Sequence, residues 1–177
     1  LARARERLRA MPPHTSAPVL QRSLAAFSSA MAGRTHEAGD SLAALERDNA
    51  GLGRHSALGE VHPALNAVNR LFAARWLVAA GDTTTAIALL TFYEAIFPST
   101  LGRLYNLNVA IAPLAMAERA RIAAARGEHE ESTRLYGSVL ERMDTPGPSL
   151  RALADDAARA LALPARDQGA ATGRRVI

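Results

Sequence analysis

Apolar and polar positions follow each other along the chain with the spacing of helices, and three of the helical runs end at a glycine. The glycines are Gly33, Gly81 and Gly127, and each is followed by a short polar turn and a second helical run. Glycine takes the left-handed conformation that ends a helix without the steric penalty of a Cβ atom. No segment has the strong alternation of a strand. The pattern predicts an all-α chain with three hairpins that turn at these glycines.

The residues around the three glycines match in size. A small residue lies seven positions before each glycine, another lies five positions after it, and a large one lies nine positions after it. Two antiparallel helices joined by a tight turn approach closely near that turn, so both facing surfaces need small side chains. We therefore expect these positions to pack inside the hairpins. They are Ala26, Ala38 and Leu42 in the first hairpin, Ala74, Ala86 and Leu90 in the second, and Ala120, Ser132 and Tyr136 in the third.

Apolar residues at helical spacing continue into the second helices. In the second hairpin this stripe includes Tyr93, Ile96 and Phe97, and Asp82 is placed to cap the start of the helix. After the turn residues 146–148, a last run has one apolar face. A stacked array uses such a helix to cover its open end. The sequence therefore predicts a final helix whose apolar face consists of Leu150, Leu153, Ala157 and Leu161.

The order small residue, glycine, acid, small residue, aromatic residue resembles the tetratricopeptide repeat family. The resemblance extends from about Val19 to Met143 and is closest in ARIAAARGEHEESTRLYGSVLERM. Within that family, the segment from Leu107 to Leu163 is similar to helical C-terminal regions of bacterial serine/threonine kinases and some transcription activators. The resemblance implies an α-solenoid of three antiparallel helical hairpins plus a C-terminal capping helix. Because the glycines are further apart than the ~34 residues of a family repeat, we expect longer helices or connections.

This interpretation divides the chain into three parts. Residues 1–12 lack both an initiator methionine and the apolar stretch of a signal peptide, so we interpret them as the end of a truncated preceding helix. Residues 13–165 form the predicted repeat domain, and residues 166–177 form a predicted flexible tail. No stretch reaches the ~18 apolar residues of a membrane span. We expect a cytoplasmic protein that does not bind a membrane.

Composition argues against most kinds of chemistry. The chain has no cysteine, and its five histidines lack the spacing of a metal site. No nucleophile–base pair or phosphate-binding loop is present, so we expect a non-catalytic protein without a metal or cofactor. The net charge is +4, but the 21 basic residues are scattered among 17 acids and not gathered in a phosphate-binding stripe. A nucleic-acid-associated transcription regulator is therefore the alternative and not the preferred interpretation.

The candidate binding residues lie six positions before the glycines and are Phe27, Arg75 and Arg121. In tetratricopeptide arrays this position lines the concave groove that binds extended peptides. The resemblance implies that Arg75 and Arg121 share one groove, free of structural partners, where they could hold a carboxylate or phosphate. The alternative is two ordinary exposed helix arginines.

We interpret Trp76, the single tryptophan, as core or inter-hairpin packing. Together with the repeat pattern, the candidate binding residues predict a scaffold or sensor module within a larger bacterial signalling or regulatory protein. The expected partner is a protein or peptide, and an acidic one if the two arginines take part.

Overall fold

The structure is a computed structural model that describes residues 2–10, 17–51, 63–91, 102–143 and 146–162. Over these residues the chain contains helices and turns but no strand, which confirms the all-α prediction. The described helices are α1 (Ala2–Ala10), α2 (Ala17–Met31), α3 (Thr35–Gly51), α4 (Pro63–Ala79), α5 (Thr83–Leu90), α6 (Gly102–Ala125), α7 (His129–Glu141) and α8 (Pro148–Ala162).

Each of the three glycines ends a helix, as predicted. The φ angles of Gly33, Gly81 and Gly127 are 83°, 91° and 76°, in the left-handed region that favours glycine. In each turn, the glycine N–H and the N–H of the next residue donate to carbonyl oxygens in the last turn of the preceding helix. This pair of bonds is the Schellman motif, which satisfies carbonyl groups that a helix end otherwise leaves unpaired. The hairpin turns are therefore built from local contacts.

The nine positions selected by size around the glycines are all buried. Their relative exposure is 4% or less, and it is zero at Ala74 and Ala120. In the first hairpin α2 packs on α3, and in the third α6 packs on α7. In the first and third hairpins this burial agrees with the predicted register, because a shift of one position along a helix would turn these side chains by about 100°. Asp82 also has its predicted role, since its Oδ1 accepts the Thr85 N–H at 3.0 Å.

The chain divides into two compact units, and the first comprises residues 1–89. In this unit α3 packs against both α2 and α4, while α1 contacts α2. α3 approaches α4 closely at Gly39, where an added Cβ atom would lie 3.1 Å from Leu77 Cγ. One cluster of the buried core comprises Val19, Ala26, Ala38, Leu42, Leu45 and Ala73.

The second unit comprises residues 90–177. Here α7 packs against both α6 and α8. The predicted apolar face of α8 lies on a core that includes Met116, Leu135, Tyr136 and Val139, so the final helix is confirmed as a packed element. Pro148 occupies its first position, where proline is favoured because the N–H there has no helical partner.

Some predictions are not tested by the structure. α3 continues to Gly51. Tyr93, Ile96, Phe97 and the predicted tail 166–177 lie outside the described residues. The solenoid arrangement of all three hairpins stays a prediction. None of the described helices has the length and apolar character that crossing a membrane requires.

Candidate partner-binding surface

In the first unit, α2 and α4 lie side by side. A buried hydrogen bond joins them, in which Asn69 Nδ2 donates to Ser23 Oγ at 2.9 Å. The Ser23 hydroxyl in turn donates to the Val19 carbonyl at 2.9 Å. Because a buried polar group without a partner costs about 1–3 kcal/mol, this chain of bonds favours one alignment of the two helices. The first helices of consecutive hairpins therefore share a defined seam.

Three aromatic side chains meet along this seam. The ring of Phe27 on α2 lies 5.1 Å from Phe72 and 5.3 Å from Trp76, both on α4, with interplanar angles of 74° and 73°. Such edge-to-face pairs contribute about 0.5–1.5 kcal/mol beyond the burial of their area. All three side chains are only half-buried, so each leaves part of its surface accessible. The interpretation of Trp76 as inter-hairpin packing is confirmed.

Arg75 adds a positive charge at the edge of these rings. Its side chain is exposed, and its guanidinium carbon lies 5.8 Å from the centre of the Phe72 ring. This distance is within the range of cation–π attraction, which favours a position of the positively charged guanidinium over the ring. The expectation that Arg75 has no structural partner is therefore wrong. We call Phe27, Phe72, Arg75 and Trp76 together the α2–α4 aromatic surface.

Arg121 is bound into the second unit by ion pairs. Its Nη1 lies 2.8 Å from Glu118 Oε1, one turn earlier on α6, and its Nη2 lies 3.7 Å from Asp156 Oδ2 on α8. It also opposes the effect of burial on the Tyr136 side chain of α7, whose pKa burial raises. The expectation of a partner-free side chain is wrong here too, because acids from two helices compensate its charge. A role in binding, and a groove shared with Arg75, stay predictions.

Comparison of the chain with family models, curated proteins and solved structures finds no match. The resemblance to tetratricopeptide repeats therefore rests on the sequence pattern described above. The function has to be inferred from the surface itself.

Sequence reasoning found Phe27 and Arg75 but missed Phe72. A signal was present, because Phe72 and Trp76 are four positions apart and lie on one face of a helix. Their proximity to Phe27 could not be found in this way, since it depends on which helix packs beside α4. The surface combines rigid apolar contact area with one cation, an arrangement suited to recognition. Among the described residues, no group of three or more histidine, aspartate and glutamate side chains could hold a metal ion.

Proposed function

We propose that this chain is a non-catalytic protein-binding module and that the α2–α4 aromatic surface binds the partner. The observation that supports the proposal is the set of three half-buried rings with an arginine beside them. Residues that dominate binding at protein interfaces are enriched in tryptophan and arginine and surrounded by well-packed neighbours. Rings already held by the core lose little further side-chain freedom on binding, which lowers the entropic cost of association.

The chemistry of the surface favours one kind of partner segment. An aliphatic or aromatic side chain can bury its area against the exposed parts of Phe27 and Trp76, a gain of about 25 cal/mol per Å² of apolar surface. A carboxylate placed next to that side chain can pair with the Arg75 guanidinium. We therefore infer an extended acidic segment with an apolar anchor. In the family that the chain resembles, first helices line the peptide groove, and α2 and α4 are both first helices.

The wider role follows from the same resemblance. Similarity of the segment from Leu107 to Leu163 to regions of bacterial kinases and transcription activators favours a sensor or assembly module of a larger signalling or regulatory protein. Such a module brings a partner to the rest of the protein and needs no chemistry of its own.

The partner can be defined by selecting binders from a random peptide library displayed on phage, with the purified chain as the target. We expect enriched peptides to contain an apolar residue next to aspartate or glutamate. The binding of a selected peptide can be measured directly, because Trp76 is the single tryptophan and its fluorescence reports on this surface. Saturable quenching or a blue shift of the emission is the expected result.

Two charge reversals make the test specific. Arg75→Glu should weaken the selected peptide at least about tenfold, which corresponds to 1.4 kcal/mol. Arg47→Glu is the matched control, since Arg47 is an exposed arginine of α3 in the same unit. Equal affinities for both variants and the parent would exclude this surface. Failure to enrich any peptide, together with binding to random duplex DNA that weakens steeply with salt, would favour the nucleic-acid alternative.

A further inference from the structure

Glu46 is a buried carboxylate at the seam between α3 and α4. Its side chain is 5% exposed, and its Oε2 accepts a hydrogen bond from Arg70 Nε at 2.6 Å. Its other oxygen, Oε1, is buried without a hydrogen-bond partner among the described residues. A carboxylate paired with arginine commonly uses both oxygens, in a bidentate arrangement. The ionised form of Glu46 is therefore only partly compensated.

Protonation would change both the charge and the hydrogen bonding of the Glu46 carboxyl. On α4, the amide oxygens of Asn66 and Asn69 are also buried and unpaired within the described part of the chain. The Ser23 hydroxyl of α2 is already used, because it donates to a backbone carbonyl. An ionised carboxylate can only accept hydrogen bonds, whereas a protonated one also donates. Protonation of Glu46 would therefore remove a buried charge and turn the carboxyl into a donor as well as an acceptor.

Few charges oppose this change. On α3 itself, Arg47 and Asp48 are exposed, and Asp48 pairs at 2.7 Å with Arg22 of α2. From α4, the Arg70 guanidinium is bound to Glu46, and the Arg70 side chain is 30% exposed. Burial raises the pKa of Glu46 more than the attraction and hydrogen bond of Arg70 lower it. The burial of the carboxyl is thus the dominant influence on its charge.

We propose that Glu46 is a proton-operated latch, which holds α4 against α3 more tightly when its carboxyl is protonated. The buried side chain, its unpaired oxygen and its single arginine bond carry this inference. Because α4 also bears Phe72, Arg75 and Trp76, the latch regulates how firmly three of the four residues of the α2–α4 aromatic surface are held. That consequence rests on the proposed function, whereas the latch itself does not.

The direction of the pH effect distinguishes the latch from an ordinary ion pair. A carboxyl whose pKa is raised on folding stabilises the fold fully below its unfolded pKa, and this contribution is lost as pH rises through the folded pKa. A carboxylate stabilised by an arginine behaves in the opposite way. Each unit by which folding raises the pKa changes the folding equilibrium constant up to about tenfold.

The test compares the parent with Glu46→Gln, which keeps the shape and supplies donors without a charge. Urea denaturation of both is followed between about pH 5 and 8, without any partner present. We expect the parent to lose stability relative to Glu46→Gln as pH rises. The matched control is Glu37→Gln, an exposed glutamate of the same helix that pairs with Arg34. The control should not reproduce this trend.

A second measurement keeps the test decisive if Glu46→Gln does not fold. In the parent labelled with ¹³C in its glutamate carboxyl groups, the Glu46 resonance should titrate above the ordinary glutamate pKa of about 4.3. A Glu46 midpoint at or below that value would overturn the latch, as would a stability difference that grows in favour of the parent with rising pH. Neither measurement involves a partner, so the two proposals can fail independently. A failed peptide selection would not contradict the latch, and a failed titration would not contradict the binding surface.

Discussion

The crossing of α3 and α4 can be tested with two glycines that occupy helices in different surroundings. Gly39 lies in α3 against α4, and a Cβ added there would be 3.1 Å from Cγ and 3.2 Å from Cδ2 of Leu77. Gly137 lies in α7, and a Cβ added there would meet no atom within 4 Å. The same substitution by alanine therefore has the same intrinsic helix-forming benefit at both positions but a steric cost at only one.

The expected magnitudes follow from these distances. Alanine is favoured over glycine inside a helix by about 1 kcal/mol, so Gly137→Ala should stabilise the fold by up to that amount. At Gly39 the same gain is opposed by overpacking, which costs about 1–3 kcal/mol. Leu77 is fully buried and has little room to move. We therefore expect Gly39→Ala to be neutral or destabilising by up to about 2 kcal/mol, which leaves the two variants about 1–3 kcal/mol apart.

Urea denaturation followed by helical circular dichroism measures both variants against the parent. Trp76 fluorescence reports independently on the unit that contains Gly39, so unfolding of that unit can be separated from the signal of the rest of the chain. Equal stabilisation by both substitutions would refute the close packing of α3 on α4. It would also remove the basis for placing Glu46 and Arg70 in one buried seam.

Three further outcomes are expected in denaturation experiments. Ala120→Leu should destabilise the fold by about 1–3 kcal/mol, because it overpacks the crossing of α6 and α7. Ala125→Leu, at an exposed position of α6, should have the melting temperature of the parent. Equal melting temperatures of the two variants would show that the crossing lies elsewhere. Arg121→Glu should destabilise by about 1–3 kcal/mol, because it breaks charge-assisted bonds to acids of α6 and α8; an unchanged melting temperature would contradict those contacts. The hydrogen bond from Thr85 lowers the pKa of Asp82. Asp82→Ala should therefore be less stable than the parent near neutral pH, and this difference should disappear in acid, where the Asp82 carboxylate of the parent is protonated. A difference independent of pH would contradict a charged cap.

The sequence by itself determined the turns and the register of the hairpins. A glycine with positive φ and the two hydrogen bonds around it involve only the glycine and residues within a few positions of it, so local chemistry suffices to predict Gly33, Gly81 and Gly127 as turns. The size pattern around them was equally predictive, because close helix crossings near a turn require small side chains whatever the rest of the fold does. The same holds for Asp82 as a helix cap.

Only the tertiary structure decided what the longer side chains contact. The local sequence around an arginine on a helix does not show whether the side chain faces solvent or a neighbouring helix. Arg121 was therefore expected to be free, although acids on α6 and α8 compensate its charge. The cluster of Phe27 with Phe72 and the burial of Glu46 beside Arg70 have the same origin. Glu118 lies three positions from Arg121, but Asp156, the ring cluster and the Glu46–Arg70 pair all involve residues more than twenty positions apart. Helical periodicity specifies the face of a side chain but not the helix that covers it.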